Sequence, residues 1–180
     1  GDTSYQFVTI QDTISTNIGS VIPFNNLSVY EGSFVSTRYT TDTQNVEQRF
    51  LINDARADTT TLTVKVQNSS TDSITATYTL ATDIAALTST SNVYFLQEVE
   101  DGKFEIYFGD DILGNAVVDG NIIILNYVVT NKGVANSAST FTNSAAIDGI
   151  SSVNVSTVSA SAGGSEPETI QSIKYNAPLD

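Results

Sequence analysis

The sequence contains no cysteine and no histidine. Their absence excludes disulfides, thiol nucleophiles, Cys/His zinc sites and every triad or dyad built on an imidazole. Compartment cannot be read from missing cysteines. Methionine is absent too and residue 1 is Gly, so a piece cut from a longer protein is expected. Basic residues are scarce, with 7 Lys and Arg against 20 Asp and Glu and a formal charge of −13. That field repels phosphate backbones, and the few cations are scattered, so nucleic acid is not an expected partner. Apolar runs are short. The longest, Ile122 to Leu125, suits a strand and is far below the length that spans a bilayer, so no membrane partner is expected. There is no phosphate loop, no GxGxxG and no GxSxG, and no cofactor is expected.

What is present suits a β protein. Hydrophobic residues make up 40% of 180, enough for a real core in one domain or two small ones. Thr, Ser, Val and Ile dominate, residues that fit pleated, half-buried surfaces and turns. Period-2 alternation predicts strands at Tyr5–Ile10, Ser28–Tyr30, Phe34–Thr41, Gln48–Ile52, Thr61–Val66, Ile74–Leu80, Val93–Glu100, Lys103–Phe108, Ile122–Thr130, Ala138–Thr142 and Val153–Val158. Turn residues such as Asn53-Asp54, Asn68-Ser69-Ser70, Asp101-Gly102 and Asp119-Gly120 separate them. Many short strands at this spacing predict an all-β, antiparallel sandwich-like domain, or two packed β lobes with a join near residue 82. A short helical turn is expected at 83–87. Ala160–Gly164 reads as a linker that closes a β-rich region at 164. Residues 165–180 then read as the helical start of a following domain: Ser165 and Glu168 have capping-box spacing, Pro167 falls in the first turn, and Ile170 and Ile173 share a face.

The stretch EVEDGKFEIYFGDDILGNAVVDGN, residues 98–121, raises the question of chemistry. Asp101-Gly102 predicts a two-residue hairpin turn. That register sets Glu100 opposite Lys103, Val99 opposite Phe104, Glu98 opposite Glu105 and Phe95 opposite Phe108. One face then carries Phe95, Val99, Phe104, Ile106 and Phe108 and is buried. The other carries Tyr94, Leu96, Glu98, Glu105 and Tyr107, a candidate protein interface. In the loop, Gly109 and Gly114 can take positive φ, and Asp110, Asp111 and Asn115 can close turns through backbone N–H groups, while Ile112 and Leu113 plug inward. Asp119-Gly120 turns the chain into Ile122–Thr130, apolar on both faces and so expected to be a central strand.

Asp110 and Asp111 do not fit a catalytic or metal pair. Adjacent residues in extended chain point apart. Calcium loops space ligands at alternate positions and add a distal Glu, which DDILGN lacks. Glycoside hydrolysis needs carboxylates facing across a cleft, and nothing marks one. The reading is a structural turn made by Asp101, Gly102, Gly109, Asp110, Asp111, Gly114, Asp119 and Gly120, with no catalytic, cofactor-binding or metal residue. Three Asn-x-Ser matches, at Asn26, Asn68 and Asn154, are expected by chance in so Ser-rich a chain.

Residues 93–136, VYFLQEVEDGKFEIYFGDDILGNAVVDGNIIILNYVVTNKGVAN, resemble the signature region of bacteriophage baseplate wedge proteins of contractile tails, within the wider baseplate J-like family. The stretches LSVYEGSFVSTRYTTD (27–42), QRFLINDARADTTTLTVKVQNS (48–69, with its turn Asp58-Thr59-Thr60) and GGSEPETIQSIKYNAPLD (163–180) extend the likeness over most of the chain. It is similar above all to wedge proteins of large myophages, those of marine cyanobacteria included, of which this would be an internal fragment. The resemblance implies a structural protein of the virion, not an enzyme. It implies a dimeric, interlocked ring around the tail hub, contacts with other wedge proteins and transmission of the contraction signal. It carries over no catalytic residue, and Gly109, Asp110, Asp111 and Gly114 fall on the family's loop motif. An acidic extracellular domain of an adhesin or surface layer fits composition alone nearly as well; a third class, a carboxylate-dependent hydrolase, finds no carboxylate pair to carry it.

Overall fold

The computed structural model describes residues 3–42, 44–45 and 48–166. The chain divides into two compact units, Gly1–Thr130 and Asn131–Asp180. In the first unit the strands are β1 (Phe7–Val8), β2 (Tyr30–Glu31), β3 (Ser33–Thr40), β4 (Phe50–Ile52), β5 (Ala57–Gln67), β6 (Thr75–Leu80), β7 (Val93–Glu98), β8 (Phe104–Phe108) and β9 (Ile122–Val129). β1 and β2 form a small sheet, and the other seven form one sheet in the order β3-β9-β5-β6-β7-β8-β4. The fold is all-β, but it is not a sandwich of two sheets. One mixed sheet curls until it is nearly closed into a barrel.

The closure is made by side chains. The Tyr39 hydroxyl on β3 donates to the Leu51 carbonyl of β4 at 2.5 Å, and the Tyr39 and Phe50 rings meet at 5.6 Å. Gln48 adds two bonds at the same end, accepting from Asp42 N at 2.9 Å and donating to Thr40 O at 3.3 Å. A sheet curled this far places alternate residues of every strand inside. Phe50, Ile52, Val64, Tyr78, Tyr94, Ile106, Ile123, Leu125 and Tyr127 fill that interior. Burying each large apolar side chain stabilises the fold by about 1.5–3 kcal/mol. Phe108 sets its ring edge-on to both Phe50 and Tyr78, with centroids 5.7 and 5.2 Å apart.

β9 is flanked by β3 and β5 and is buried on both faces, from Ile123 inside to Ile124 and Val128 outside. Two departures from simple alternation shape its surroundings. β5 carries an irregularity between Asp58 and Thr63, the segment expected to be a turn. There Asp58 Oδ1 accepts from Thr60 N and Thr60 Oγ1, and the buried Thr61 hydroxyl oxygen accepts from Val128 N at 2.9 Å. A side chain thus takes the place of a missing ladder carbonyl. The second departure is the parallel pairing of β6 with β7, Thr79 opposite Val93 and Leu80 opposite Tyr94. A parallel pair needs a crossover, and residues 81–92 supply it, with a short 3-10 turn at Ile84–Ala86 capped by the Asp83 carboxylate.

Among its described residues the second unit has little regular structure. The strands expected at Ala138–Thr142 and Val153–Val158 do not form. Those segments are short and Ser/Thr-rich, and no strand among the described residues of this unit offers them an edge. A 3-10 turn, Lys132–Ala135, is followed by a clamp. Ser137 N donates to Ser161 O at 2.8 Å, Ser161 N to Ala138 O at 2.9 Å, and Asn136 exchanges side-chain bonds with the Gly164 backbone. Lys132 and Glu166 form an ion pair at 3.1 Å. The helix expected after Ser165 lies outside the described residues, apart from Glu166 and Ser165 themselves.

Candidate functional site

The β7–β8 hairpin and the loop that follows hold every candidate site residue named from sequence. Asp101 and Gly102 both take positive φ, 61° and 68°, and Lys103 N reaches Glu100 O. The strands nevertheless pair one residue away from the expected register. Val99 N donates to Lys103 O at 2.8 Å, so Val99 and Glu100 together oppose Lys103. This extra residue is a bulge, and it exchanges the two faces of β7 relative to β8. The pairs are Tyr94–Phe108, Phe95–Tyr107, Leu96–Ile106, Gln97–Glu105 and Glu98–Phe104.

The consequences for the interface expectation are specific. Tyr94 is buried in the core at 5% exposure and Leu96 packs against the same core. Burial raises the Tyr94 hydroxyl above its ordinary pKa. Glu98 follows them in phase, at the exposed end of β7. Glu105 and Tyr107 lie on the opposite face together with Phe95, which the expected register had placed inside. There the Phe95 and Tyr107 rings stack at 5.0 Å, the Arg49 guanidinium sits 4.1 Å from the Tyr107 centroid, and Arg49 pairs with Glu105 at 3.4 Å. The Glu98–Glu105 pair set by the expected register does not form, because Glu105 faces Gln97 and has the Arg49 cation beside it.

The Asp110-Asp111 pair is turned toward backbone. Asp110 Oδ1 accepts from Leu113 N at 2.9 Å and Ile112 N at 3.0 Å. Those two bonds hold its carboxyl below its ordinary pKa. Asp111 takes φ 63°, its N–H donates to Gly114 O at 3.0 Å, and its Oδ1 accepts from Ala116 N at 2.8 Å. Each acid therefore closes its own turn. The tight winding turns Ile112 and Leu113 outward, contrary to the inward plugging expected; Ile112 is 73% exposed.

Glycine makes the winding possible. A Cβ on Gly109 would stand 2.3 Å from Gly114 O, so the two ends of the loop touch backbone to backbone. Gly114 takes φ 90°, and its N–H donates to Thr88 O at 3.0 Å. Asn115 continues the attachment. Its N–H donates to Ser91 O at 2.8 Å, and its Nδ2 donates to Asn92 Oδ1 at 3.0 Å and Tyr78 Oη at 3.1 Å. Burial, partly offset by that bond from Asn115, raises the Tyr78 pKa. Further on, Gly120 takes φ 78°, and Asn121 closes the Asp119-Gly120 turn by accepting from Val118 N at 2.8 Å and donating to Asn68 O at 2.9 Å. Asn115, Asn121 and Thr61 are the structural polar residues that sequence reading did not single out for these contacts; Asn115 was marked only as a turn former.

Chemically, the arrangement offers shape. Among the described residues no three Asp or Glu side chains gather where they could hold a metal ion. A family model described as bacteriophage baseplate wedge protein gp6, third domain, matches residues 36–142, more than half of the 180-residue chain. No curated protein matches the chain.

Proposed function

The chain belongs to the family of bacteriophage baseplate wedge protein gp6, third domain, and from that premise we propose how this module serves the wedge. Membership makes it a structural, non-enzymatic component of the phage baseplate, located in the virion and assembled with other baseplate proteins. Within that role we assign it contacts with further copies of itself, in a dimer or ring of the whole protein, and with other wedge proteins. The nearly closed barrel serves as a stiff body that holds its outer surface in a fixed shape.

The observation that carries this reading is the occupation of both loop carboxylates by backbone N–H groups. Asp101, Gly102, Gly109, Asp110, Asp111, Gly114, Asp119 and Gly120 act as a framework that fixes the β8–β9 connection. The contact surface we favour is the outer face of the hairpin, Glu105 and Tyr107 with Phe95 and Arg49. A stacked aromatic pair with a cation over it presents rigid, amphipathic area of the kind that anchors interfaces. Residues 165–180 would form the start of a following domain.

The test is co-purification with the other tail proteins of the same virion, for the wild type and for Tyr107→Ala combined with Phe95→Ala. The reading expects the wild type to enter a complex and the double variant to enter it at least several-fold less, with both folded by circular dichroism. A wild-type protein that joins no tail protein would overturn it.

A further inference from the structure

Three cations of the folded chain are paired with its own acids. Arg49 lies 3.4 Å from Glu105, Arg56 3.0 Å from Asp54 and Lys132 3.1 Å from Glu166. Lys103 has no such pair, but its charge helps to hold the Asp54 carboxyl below its ordinary pKa. That leaves Arg38 and Lys65. Neither makes an ion pair with a described residue, although acids outnumber bases 20 to 7.

The sheet register brings these two together. Arg38 on β3 and Lys65 on β5 both stand opposite Ile124 of β9. Residues directly opposite share a face of the sheet. Ile124 points away from the barrel interior, so both cations stand on the outer wall. Two strand spacings set their Cα atoms roughly 10 Å apart. Ile124 is only 8% exposed despite facing outward. Two aliphatic stems lying over it, with their charged heads in water, account for that. Exposed hydroxyls border the pair, Ser36 on β3 and Thr77 on β6 opposite Lys65.

Carboxylates are kept away from this wall. The first outward acid along β3, β9 and β5 is Asp58, opposite Val128. It lies four residues along β9 from Ile124, or about 13 Å, and its Oδ1 is taken by Thr60. Salt screens exposed charges beyond about 8 Å at physiological ionic strength. The wall is therefore locally basic in a chain of net charge −13.

We propose that the outer wall of β3, β9 and β5 docks an acidic segment of another baseplate protein, whose carboxylates pair with Arg38 and Lys65. The inference rests on the reading above that the module contacts other wedge proteins. It adds a second surface and states the partner's chemistry. Charge selects the occupant. A basic segment is drawn to the acidic remainder of the chain and repelled here, whereas an acidic one meets unpaired cations here. Arg38 offers a planar fork that takes a carboxylate through two bonds, and Lys65 a point charge beside it.

The test is capture of the other tail proteins of the same virion by the whole chain. Arg38→Glu and Lys65→Glu should each lower capture several-fold, and together at least tenfold. Lys103→Glu makes the same change of net charge at the hairpin tip and should leave capture unchanged, which separates local pairing from general repulsion. Exchanging the two cations, Arg38→Lys with Lys65→Arg, keeps both charges and should retain most of the capture. Melting temperatures report that each variant is folded, and Arg38→Glu, at an exposed site, keeps the test readable should Lys65→Glu unfold. Heparin serves as the probe for an anionic polysaccharide. Retention on heparin that the double reversal abolishes, with tail-protein capture intact, would assign the wall to such a ligand and overturn the proposal. A double reversal whose sole loss is self-association would overturn it too. If wild type joins tail proteins and the double reversal joins them equally, this docking wall alone falls. If wild type joins none, the functional reading falls with it.

Discussion

Replacing Gly109 by Ala adds one methyl group at the point where the β8–β9 loop closes on itself. The new Cβ would lie 2.3 Å from Gly114 O, 2.4 Å from Gly114 C and 2.5 Å from Leu113 O. All three are backbone atoms, so no side chain can rotate away. The loop must open, and opening breaks the Asp111 N to Gly114 O bond and strains the Gly114 N to Thr88 O bond. Overpacking of this kind costs about 1–3 kcal/mol, and each backbone bond lost adds about 1 kcal/mol. A total of about 2–4 kcal/mol is expected, a fall in Tm of roughly 5–15 °C for a chain of this size. Gly120→Ala is the control. Gly120 has φ 78° and nothing within 4 Å of an added Cβ, so only the left-handed penalty of about 1–2 kcal/mol applies. Urea and thermal unfolding of the two variants measure the difference. Gly109→Ala no more damaging than Gly120→Ala would refute the closed-loop geometry.

Other substitutions probe separate parts of the account. Leu125→Ala, at a fully buried site on the strand between β3 and β5, should cost about 2–5 kcal/mol in urea unfolding. Thr61→Val keeps the shape but removes the acceptor for Val128 N, and an orphaned buried donor should cost about 1–3 kcal/mol. Tyr39→Phe removes the hydroxyl that bridges β3 to β4; stability should fall by about 0.5–1.5 kcal/mol, with faster amide exchange at the barrel seam. The pH dependence has a fixed sign. Asp110, Asp54 and Asp72 have lowered pKa values in the folded chain, through N–H groups of Leu113 and Ile112, through Arg56, and through Asn68 and Ile74. Their stabilising bonds are complete above the ordinary aspartate value of about 4 and are lost as pH falls through the lower folded values. The urea midpoint should drop over that acid range, and Asp110→Asn should make the drop shallower.

Strand existence was the most legible part of the fold. Alternation of Val, Ile, Thr and aromatics marked all nine strands of the first unit to within a few residues, and the apolar doubling in Ile122–Val129 marked a strand covered on both faces. The limits come from effects that alternation does not encode. A bulge at Val99-Glu100 adds one residue, and one residue suffices to send Tyr94 and Leu96 inward and Phe95 outward. Curvature of the sheet and the parallel β6–β7 pairing depend on contacts distant in sequence, such as Tyr39 with Leu51. Ala138–Thr142 and Val153–Val158 had strand composition, yet pairing needs an edge as well as a propensity. At the loop, residue types pointed to turns, but Asn115's partners Ser91, Asn92 and Tyr78 and Asn121's partner Asn68 lie more than twenty residues away in sequence, beyond the reach of local pattern.

The sharpest measurement compares two double variants, Asp110→Asn with Asp111→Asn and Asp110→Ala with Asp111→Ala, for melting temperature and incorporation into baseplates. Asn retains an oxygen that accepts from the same backbone N–H groups and tolerates the left-handed conformation of residue 111, whereas Ala does neither. The Asn pair should melt close to wild type and assemble normally, and the Ala pair should lose stability and assemble in proportion. An Asn pair that stays fully folded yet fails in the baseplate would mean that negative charge at these positions does work beyond shaping the chain, and would contradict the account.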